Sequence, residues 1–362
     1  MLKRQVLFLH RYLVRVRVTH KLPVVELDLT GWKIDSVQAR SLTQLPFLRV
    51  FKNSSNFSLK FEGLMELSKM QNLTHLHLRC SGIYVEEYTK LRRQTGLPFE
   101  QMKTMKNLRT LELGHSDKRM ARVIANRCPN LKKLVIGGIG NEGVKELSRL
   151  KLEELDISFG EIGNKGAQLL AQVSTLQKLD ASNNSIGSEG LYALAFATAS
   201  QEDKVKIAQN PPQEWKRWAQ EKSDYDTCEK DEEREFFQKS IHTLPLAQLV
   251  NVDISYQRSQ YSDEALRFFA RYNGLLSLRW SRLCGTGCKG VVEALLENRS
   301  LVSLESANPL VQKHIAKNAH YLRSWKKVAA LIMFQRALRG HPFRDSALVL
   351  IGDPRSLGGF LS

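Results

Sequence analysis

Leu152-Glu-Glu-Leu155-Asp-Ile157-Ser-Phe-Gly160-Glu-Ile162-Gly163-Asn-Lys-Gly166-Ala-Gln-Leu169-Leu170 reads as one strand, one turn and one helix. Period-two spacing puts Leu155 and Ile157 on one face of an extended segment, and the run after Gly163 has helical spacing of its apolar residues. The wording returns as Leu176-Gln-Lys-Leu179-Asp-Ala181-Ser-Asn-Asn184-Ser-Ile186-Gly187-Ser-Glu-Gly190-Leu-Tyr-Ala-Leu194. Weaker copies begin at Val24, Leu48, Leu73, Leu108, Leu131, Leu249, Leu275 and Leu301, with a degenerate one at Glu202 (Val205, Ile207, Asn210). Starts recur mostly every 21–26 residues. A unit of that size cannot bury its own apolar face, so neighbours must stack into one continuous core.

These repeats resemble the leucine-rich repeat family in its long, ribonuclease-inhibitor-like form, over roughly residues 22–310. The resemblance implies an α/β solenoid, a horseshoe of about ten to eleven repeats. It also implies that the residue between the last two strand leucines faces a concave surface. Those residues are Asp28, Lys52, His77, Glu112, Val135, Asp156, Asp180, Lys206, Asp253, Arg279 and Glu305. Glu112, Asp156, Asp180 and Asp253 make the middle of the row acidic, and small residues (Gly114, Gly137, Ser158, Ser182, Ser255, Ser281) follow two positions on. We expect an acidic, smooth face suited to a basic protein segment, with Arg279 at its far end. Asn184 and Asn210 are expected to bond backbone inside the turns.

Two gaps interrupt the rhythm. One places an insertion near 84–99. The other, near 211–240, opens with Pro211-Pro212 and is strongly charged; Trp215 and Trp218 share one side of any helix there. Residues 311–344 have helical spacing, read as a helical cap in two pieces broken near Trp325, and 345–362 form a tail.

Net charge is +17, with a pI near 9.7. The excess lies at the ends: six bases and no acid over 1–25, eight bases and no acid over 306–344. Such a surplus points to an anionic partner. Residues 1–21 read as a basic N-terminal cap or an Arg-rich targeting segment, which gives a mitochondrial expectation, otherwise cytoplasmic. No run of 18 apolar residues marks a membrane-spanning helix.

Catalytic and cofactor signatures are weak. Gly138-Ile-Gly140-Asn-Glu-Gly143 and Gly285-Thr-Gly287-Cys-Lys-Gly290 match a dinucleotide fingerprint, but related Gly-x-x-Gly turns at Gly163 and Gly187 make them repeat turns where small residues relieve strain. Cys284 and Cys288 are a lone pair without a second half, so no metal is expected, and the cysteines read as small buried hydrophobes. His75 and His77 share a strand face with no carboxylate at a telling spacing. Asn72-Leu-Thr and Asn298-Arg-Ser read as chance sequons.

The expectation is a non-catalytic scaffold without cofactor or small-molecule substrate. It would bind protein on the concave face and RNA at its basic ends through Lys313, Lys317, Arg323, Lys326, Lys327, Arg336 and Arg339, inside a ribonucleoprotein such as a mitochondrial ribosome. The alternatives are a substrate-recognition subunit of a ubiquitin ligase, or an inhibitor or effector holding a protein on the concave face. Acidic lipid is a further possible contact for the ends.

Overall fold

The computed structural model describes residues 24–32, 34–54, 59, 61–79, 102–199, 203–205, 209, 248–258, 267, 269–270, 275–279, 289–304 and 309–338, with side chains described as far as 324. Two compact units divide it, Met1–Glu161 and Ile162–Ser362.

In the first unit, β1 (Glu26–Asp28), β2 (Val50–Lys52), β3 (His75–Leu78), β4 (Thr110–His115), β5 (Lys133–Gly137) and β6 (Glu154–Asp156) lie parallel in sequence order. Pairing holds the central apolar residue in one line, Leu27, Phe51, Leu76, Leu111, Leu134 and Leu155. All six are buried, which stabilises each by about 1.5–3 kcal/mol relative to exposure. The residues on either side of this line point to the other face and are mostly polar, with Val50 and Val135 the exceptions. Between strands run α1 (Ser36–Leu42), α2 (Phe61–Leu67), α3 (Lys118–Arg127) and α4 (Gly140–Leu147). Asp35 and Gln38 cap α1 reciprocally, and Asp117 accepts the Met120 N–H at the start of α3.

In the second unit, β7 (Lys178–Asp180), β8 (Asn251–Asp253), β9 (Ser277–Arg279) and β10 (Ser303–Leu304) pair in parallel, aligning Leu179, Val252, Leu278 and Leu304. Its helices are α5 (Asn164–Ala171), α6 (Ser188–Thr198), α7 (Lys289–Glu297) and α8 (Pro309–Leu338).

Two expectations are corrected. Among the described residues of the degenerate repeat no strand occurs: residues 203–205 are helical, and β7 pairs directly with β8. Lys206, like Asn210, lies outside the described residues. The C-terminal helix is one unbroken element through Trp325; nothing in Ser324-Trp325-Lys326 breaks helical hydrogen bonding, since neither glycine nor proline is present. The insertion near 84–99 is outside the described residues, yet β3 and β4 pair residue for residue across it. Segments 1–21, 211–240 and 345–362, with Trp215 and Trp218, are also outside them, as are Cys284, Cys288, Gly285, Gly287, Ser281 and Glu305.

Candidate interaction surfaces

Strand pairing sets described positions of the row opposite one another within each unit. Asp28, Lys52, His77, Glu112, Val135 and Asp156 stand opposite one another across β1–β6. Asp180, Asp253 and Arg279 do so across β7–β9.

The acids in that row do structural work that their spacing alone does not reveal. In each Asp-x-Ser, one carboxylate oxygen accepts two hydrogen bonds from the serine two residues on. Asp156 takes the Ser158 N–H at 3.0 Å and hydroxyl at 2.7 Å; Asp180 takes those of Ser182 at 3.0 and 2.7 Å; Asp253 takes those of Ser255 at 3.0 and 2.5 Å. Asp28 accepts the Thr30 N–H at 2.9 Å, and hydrogen bonds from Thr30 hold its pKa below the usual value. The acidic row and the small-residue row are thus one latch that bends the chain out of the strand. The next residue takes a left-handed conformation in three latches: Phe159 (φ 55°), Asn183 (57°) and Tyr256 (55°). Phe159 and Tyr256 are nevertheless exposed aromatics.

Glu112 differs. It is 9% exposed. Its Oε2 meets His77 Nδ1 at 3.1 Å and Arg79 Nε at 3.2 Å, and its Oε1 lies 3.5 Å from Lys133 Nζ. Burial works against the carboxylate, but the His77 hydrogen bond and the charges of His77, Arg79 and Lys133 outweigh it and hold the pKa below the ordinary range. So His75 and His77 do have a carboxylate: it sits across the ladder from His77, on the next strand, with the two imidazoles stacked at 6.4 Å. In the first unit Glu112 is thus ringed by His77, Arg79 and Lys133, and Lys133 Nζ also lies 3.9 Å from Glu154 Oε2. In the second, Arg279 Nη1 lies 3.5 Å from Asp253 Oδ2.

The glycine motif is turn geometry, as expected, at Gly138 and Gly140, whose φ values are +70° and +62°. A Cβ on Gly138 would come within 2.6 Å of the Ser116 carbonyl oxygen. Gly163 and Gly187 have negative φ, so strain does not select them. They precede helices, and Asn164 Oδ1 accepts the N–H groups of Gly187 and Gly190 at 2.8 and 3.1 Å, supplying α6 with a cap from the preceding repeat. Cys128 is fully buried and burial pushes its thiol pKa up to about 12. Asn298 is 1% exposed and its amide donates to the Ala270 carbonyl, which closes that sequon to modification.

On α8, one face points inward: Val311, Ile315 and Asn318 are buried, and Asn318 Nδ2 donates to the carbonyls of Asn298 and Leu301 at 2.9 and 3.1 Å. His314 Nε2 lies 2.7 Å from the Asn298 carbonyl. Lys313, Lys317 and Arg323 are exposed, with Lys317 Nζ 5.7 Å from the Tyr321 ring centre. Lys326, Lys327 and Arg336 continue the helix, their side chains outside the described set, and Arg339 lies beyond it. No described helix is long and apolar enough to cross a membrane, and no cluster of metal-ligating side chains occurs among the described residues.

Residues 150–171 and 174–195 match the family model described as Leucine Rich repeat, and the register of these two units continues through the other strands of each sheet. These two units are leucine-rich repeats. The protein's repeats have similar folds to a chain of the TLR13–ssRNA13 complex (13% identity, TM-score 0.37, covering 77% of this chain and 35% of that one). An internalin, InlF, from Listeria monocytogenes is 15% identical with a TM-score of 0.30, covering 79% and 87%. A chain of the yeast Rad7–Elc1 complex is 13% identical with a TM-score of 0.34, covering 77% and 76%. The protein spans about a third of the TLR13 chain's length. No curated protein sequence is significantly similar to it.

The leucine-rich repeats explain the buried asparagine. Asn184 Oδ1 accepts the Ile162 N–H at 2.9 Å while its Nδ2 donates to the Ala181 and Ser182 carbonyls, as expected of an internal ladder. Sequence reading missed the next rung: Gln257, four residues after Asp253 as Asn184 is after Asp180, accepts the Ile186 N–H at 3.0 Å and donates to the Ala181 carbonyl at 2.7 Å. The signal was the shared distance from the latch aspartate. Repeat solenoids of this kind offer extended surfaces for binding, and this chain is an interaction scaffold of that class.

Proposed function

We propose that the protein is a non-catalytic scaffold within a ribonucleoprotein assembly, holding protein on its strand faces and RNA phosphates on α8. The observation that carries this reading is the division of α8. Its inward face is spent on closing the end of the sheet, through Val311, Ile315 and Asn318. Its outward face has no role in that closure, yet it presents Lys313, Lys317 and Arg323 beside Tyr321 in a stretch with no acid from 306 to 344. Bases interleaved with an aromatic suit a phosphate backbone with an occasional stacked base. Lys326, Lys327, Arg336 and Arg339 extend the same charge. The acid-free stretch 1–21 supports a mitochondrial setting.

The test is the salt dependence of binding to a single-stranded RNA oligonucleotide. With Lys313→Glu, Lys317→Glu and Arg323→Glu together, the slope of log K against log salt should flatten by about 2, since each single-strand phosphate contact contributes roughly 0.7. An unchanged slope overturns the role of α8. For the protein side, Asp156→Asn and Asp180→Asn remove charge yet keep the oxygen that latches the turn, so loss of a basic partner would report electrostatics and not unfolding.

A further inference from the structure

We infer that the strand-entry rim of the first unit, the loops 102–109, 128–132 and 148–153 that lead into β4, β5 and β6, is a track for single-stranded nucleic acid. Lys103, Lys106, Arg109 and Lys151 hold its phosphates, and Phe47 stacks a base. The rim shares no residue with α8 and stands or falls separately from it.

Charge is segregated between the two ends of these strands. The three entry loops hold six bases, Lys103, Lys106, Arg109, Lys132, Arg149 and Lys151, and one acid, Glu153. The turns that leave the same strands, 116–117, 138–139 and 157–161, hold no base and two acids, Asp117 and Glu161. Ion pairs do not cancel the entry side. Lys132 meets Glu153 at 2.7 Å, and Arg149 pairs with Glu146 of α4. Six bases less these two acids leave a surplus of four. Lys133 and Glu154, the next residues inward, lie 3.9 Å apart and offset one another. The surplus is Lys103, Lys106, Arg109 and Lys151: all four are exposed, and among the described residues no carboxylate pairs with them.

The loops are held in line. The N–H groups of Thr74, Arg109, Lys132 and Glu153 each donate at 2.8 Å to the carbonyl one loop back, of Arg49, Thr74, Arg109 and Lys132 in turn. Asparagine amides tie a second line, Asn107 to the Gln71 carbonyl and Asn130 to the Lys106 carbonyl, both at 2.9 Å. Arg109 Nη1 donates to the Asn130 carbonyl at 2.8 Å, which fixes the guanidinium along the rim. From Arg49 to Lys132 the line runs roughly 15 Å at ordinary strand spacing. Phe47, 60% exposed, stands two residues before Arg49, and Asn72 Nδ2 donates to the Pro46 carbonyl beside it. This arrangement chooses the ligand class. A row of bases needs no pocket and suits a polymer that repeats one negative charge along its length. An exposed aromatic serves a single strand, whose bases are free to stack. An anionic membrane would call for apolar side chains on several loops, but apart from Pro129 the exposed residues of these three are charged or asparagine.

Full-length protein carrying Lys313→Glu, Lys317→Glu and Arg323→Glu, which removes the α8 charge, should still bind a fluorescent oligouridylate of about 12 nucleotides. Adding Lys103→Ala, Lys106→Ala and Lys151→Ala should flatten the slope of log K against log salt by about 2, three contacts at roughly 0.7 each, with the thermal melt unchanged. Phe47→Ala should weaken binding about ten-fold at an unchanged slope. Lys118→Ala with Lys145→Ala, exposed bases on α3 and α4, should move neither. A slope unaltered by the rim variant, or altered as much per charge by the α3–α4 variant, overturns the site. So does binding of polyglutamate or of phosphatidylserine vesicles as tight as that of RNA at the same salt. If the α8 reversal alone abolishes RNA binding, the rim falls and α8 stands. If the rim variant alone abolishes it with α8 intact, the rim stands and α8 falls; if wild type does not bind, both fall.

Discussion

A single aspartate oxygen decides the exit from each latched strand. Asp156→Ala removes both bonds to Ser158 and should destabilise by about 1–2 kcal/mol, whereas Asp156→Asn, which keeps an acceptor oxygen, should stay within about 0.5 kcal/mol; urea unfolding of the two variants separates the cases. Leu155→Ala, 3% exposed and central to its ladder, should cost about 2–5 kcal/mol. Gly138→Ala should cost about 1–3 kcal/mol, because alanine must take φ +70° with its methyl against the Ser116 carbonyl. The leucines were legible in the sequence because burial repeats with the strand period. The aspartates were legible only as charge, since a residue's hydrogen-bond partner two positions on is invisible to a reading that treats each column separately. Glu112 was misjudged for a different reason. Its histidine lies 35 residues away, and an insertion hides the fact that the two are direct ladder neighbours.

At the level of elements, α8 shows how a solenoid end is finished. A final strand leaves carbonyls without a following repeat, and Asn318 donates to two from that region, Asn298 and Leu301. Asn318→Ala strands these acceptors at a cost of about 1–3 kcal/mol. Hydrogen exchange should then speed up in α8 and β10 first, leaving β7 and β8 protected. The length of α8 was readable from apolar spacing, but its continuity was not, because a tryptophan between polar residues looks like a break and behaves as an ordinary helical position. The helix at 203–205 has the reverse lesson: Val205 and Ile207 imitate the motif, but Glu202 stands where the leading leucine of the motif belongs.

For the whole molecule, several carboxylates are held below their ordinary pKa. Thr30 does this for Asp28; at Glu66 burial opposes it, but hydrogen bonds from Lys69 and Arg40 prevail; Glu112 follows the same balance with His77, Arg79 and Lys133. The sign is fixed by proton binding. The unfolded chain takes up protons near pH 4 before the folded one does, so stability rises with pH through that window and levels off above it. Melting temperature should be flat from pH 7 to about 5 and fall steadily below about 4. Glu112→Gln should shorten that acid fall, and a profile unaltered by the variant would show that its three bases give the carboxylate no stabilisation.

The direct pairing of β7 with β8 sets a clock on synthesis. Lys133 waits for Glu154, its ladder neighbour, through 21 residues of elongation, but Lys178 waits for Asn251 through 73. At ribosomal speeds of about 5–20 residues per second, the first interval lasts roughly 1–4 s and the second roughly 4–15 s. For that longer interval the β8-side edge of β7 is an unpaired template in a crowded cell, open to any neighbouring strand. Nascent chains halted anywhere between 181 and 250 should therefore be the ones that chaperones hold longest.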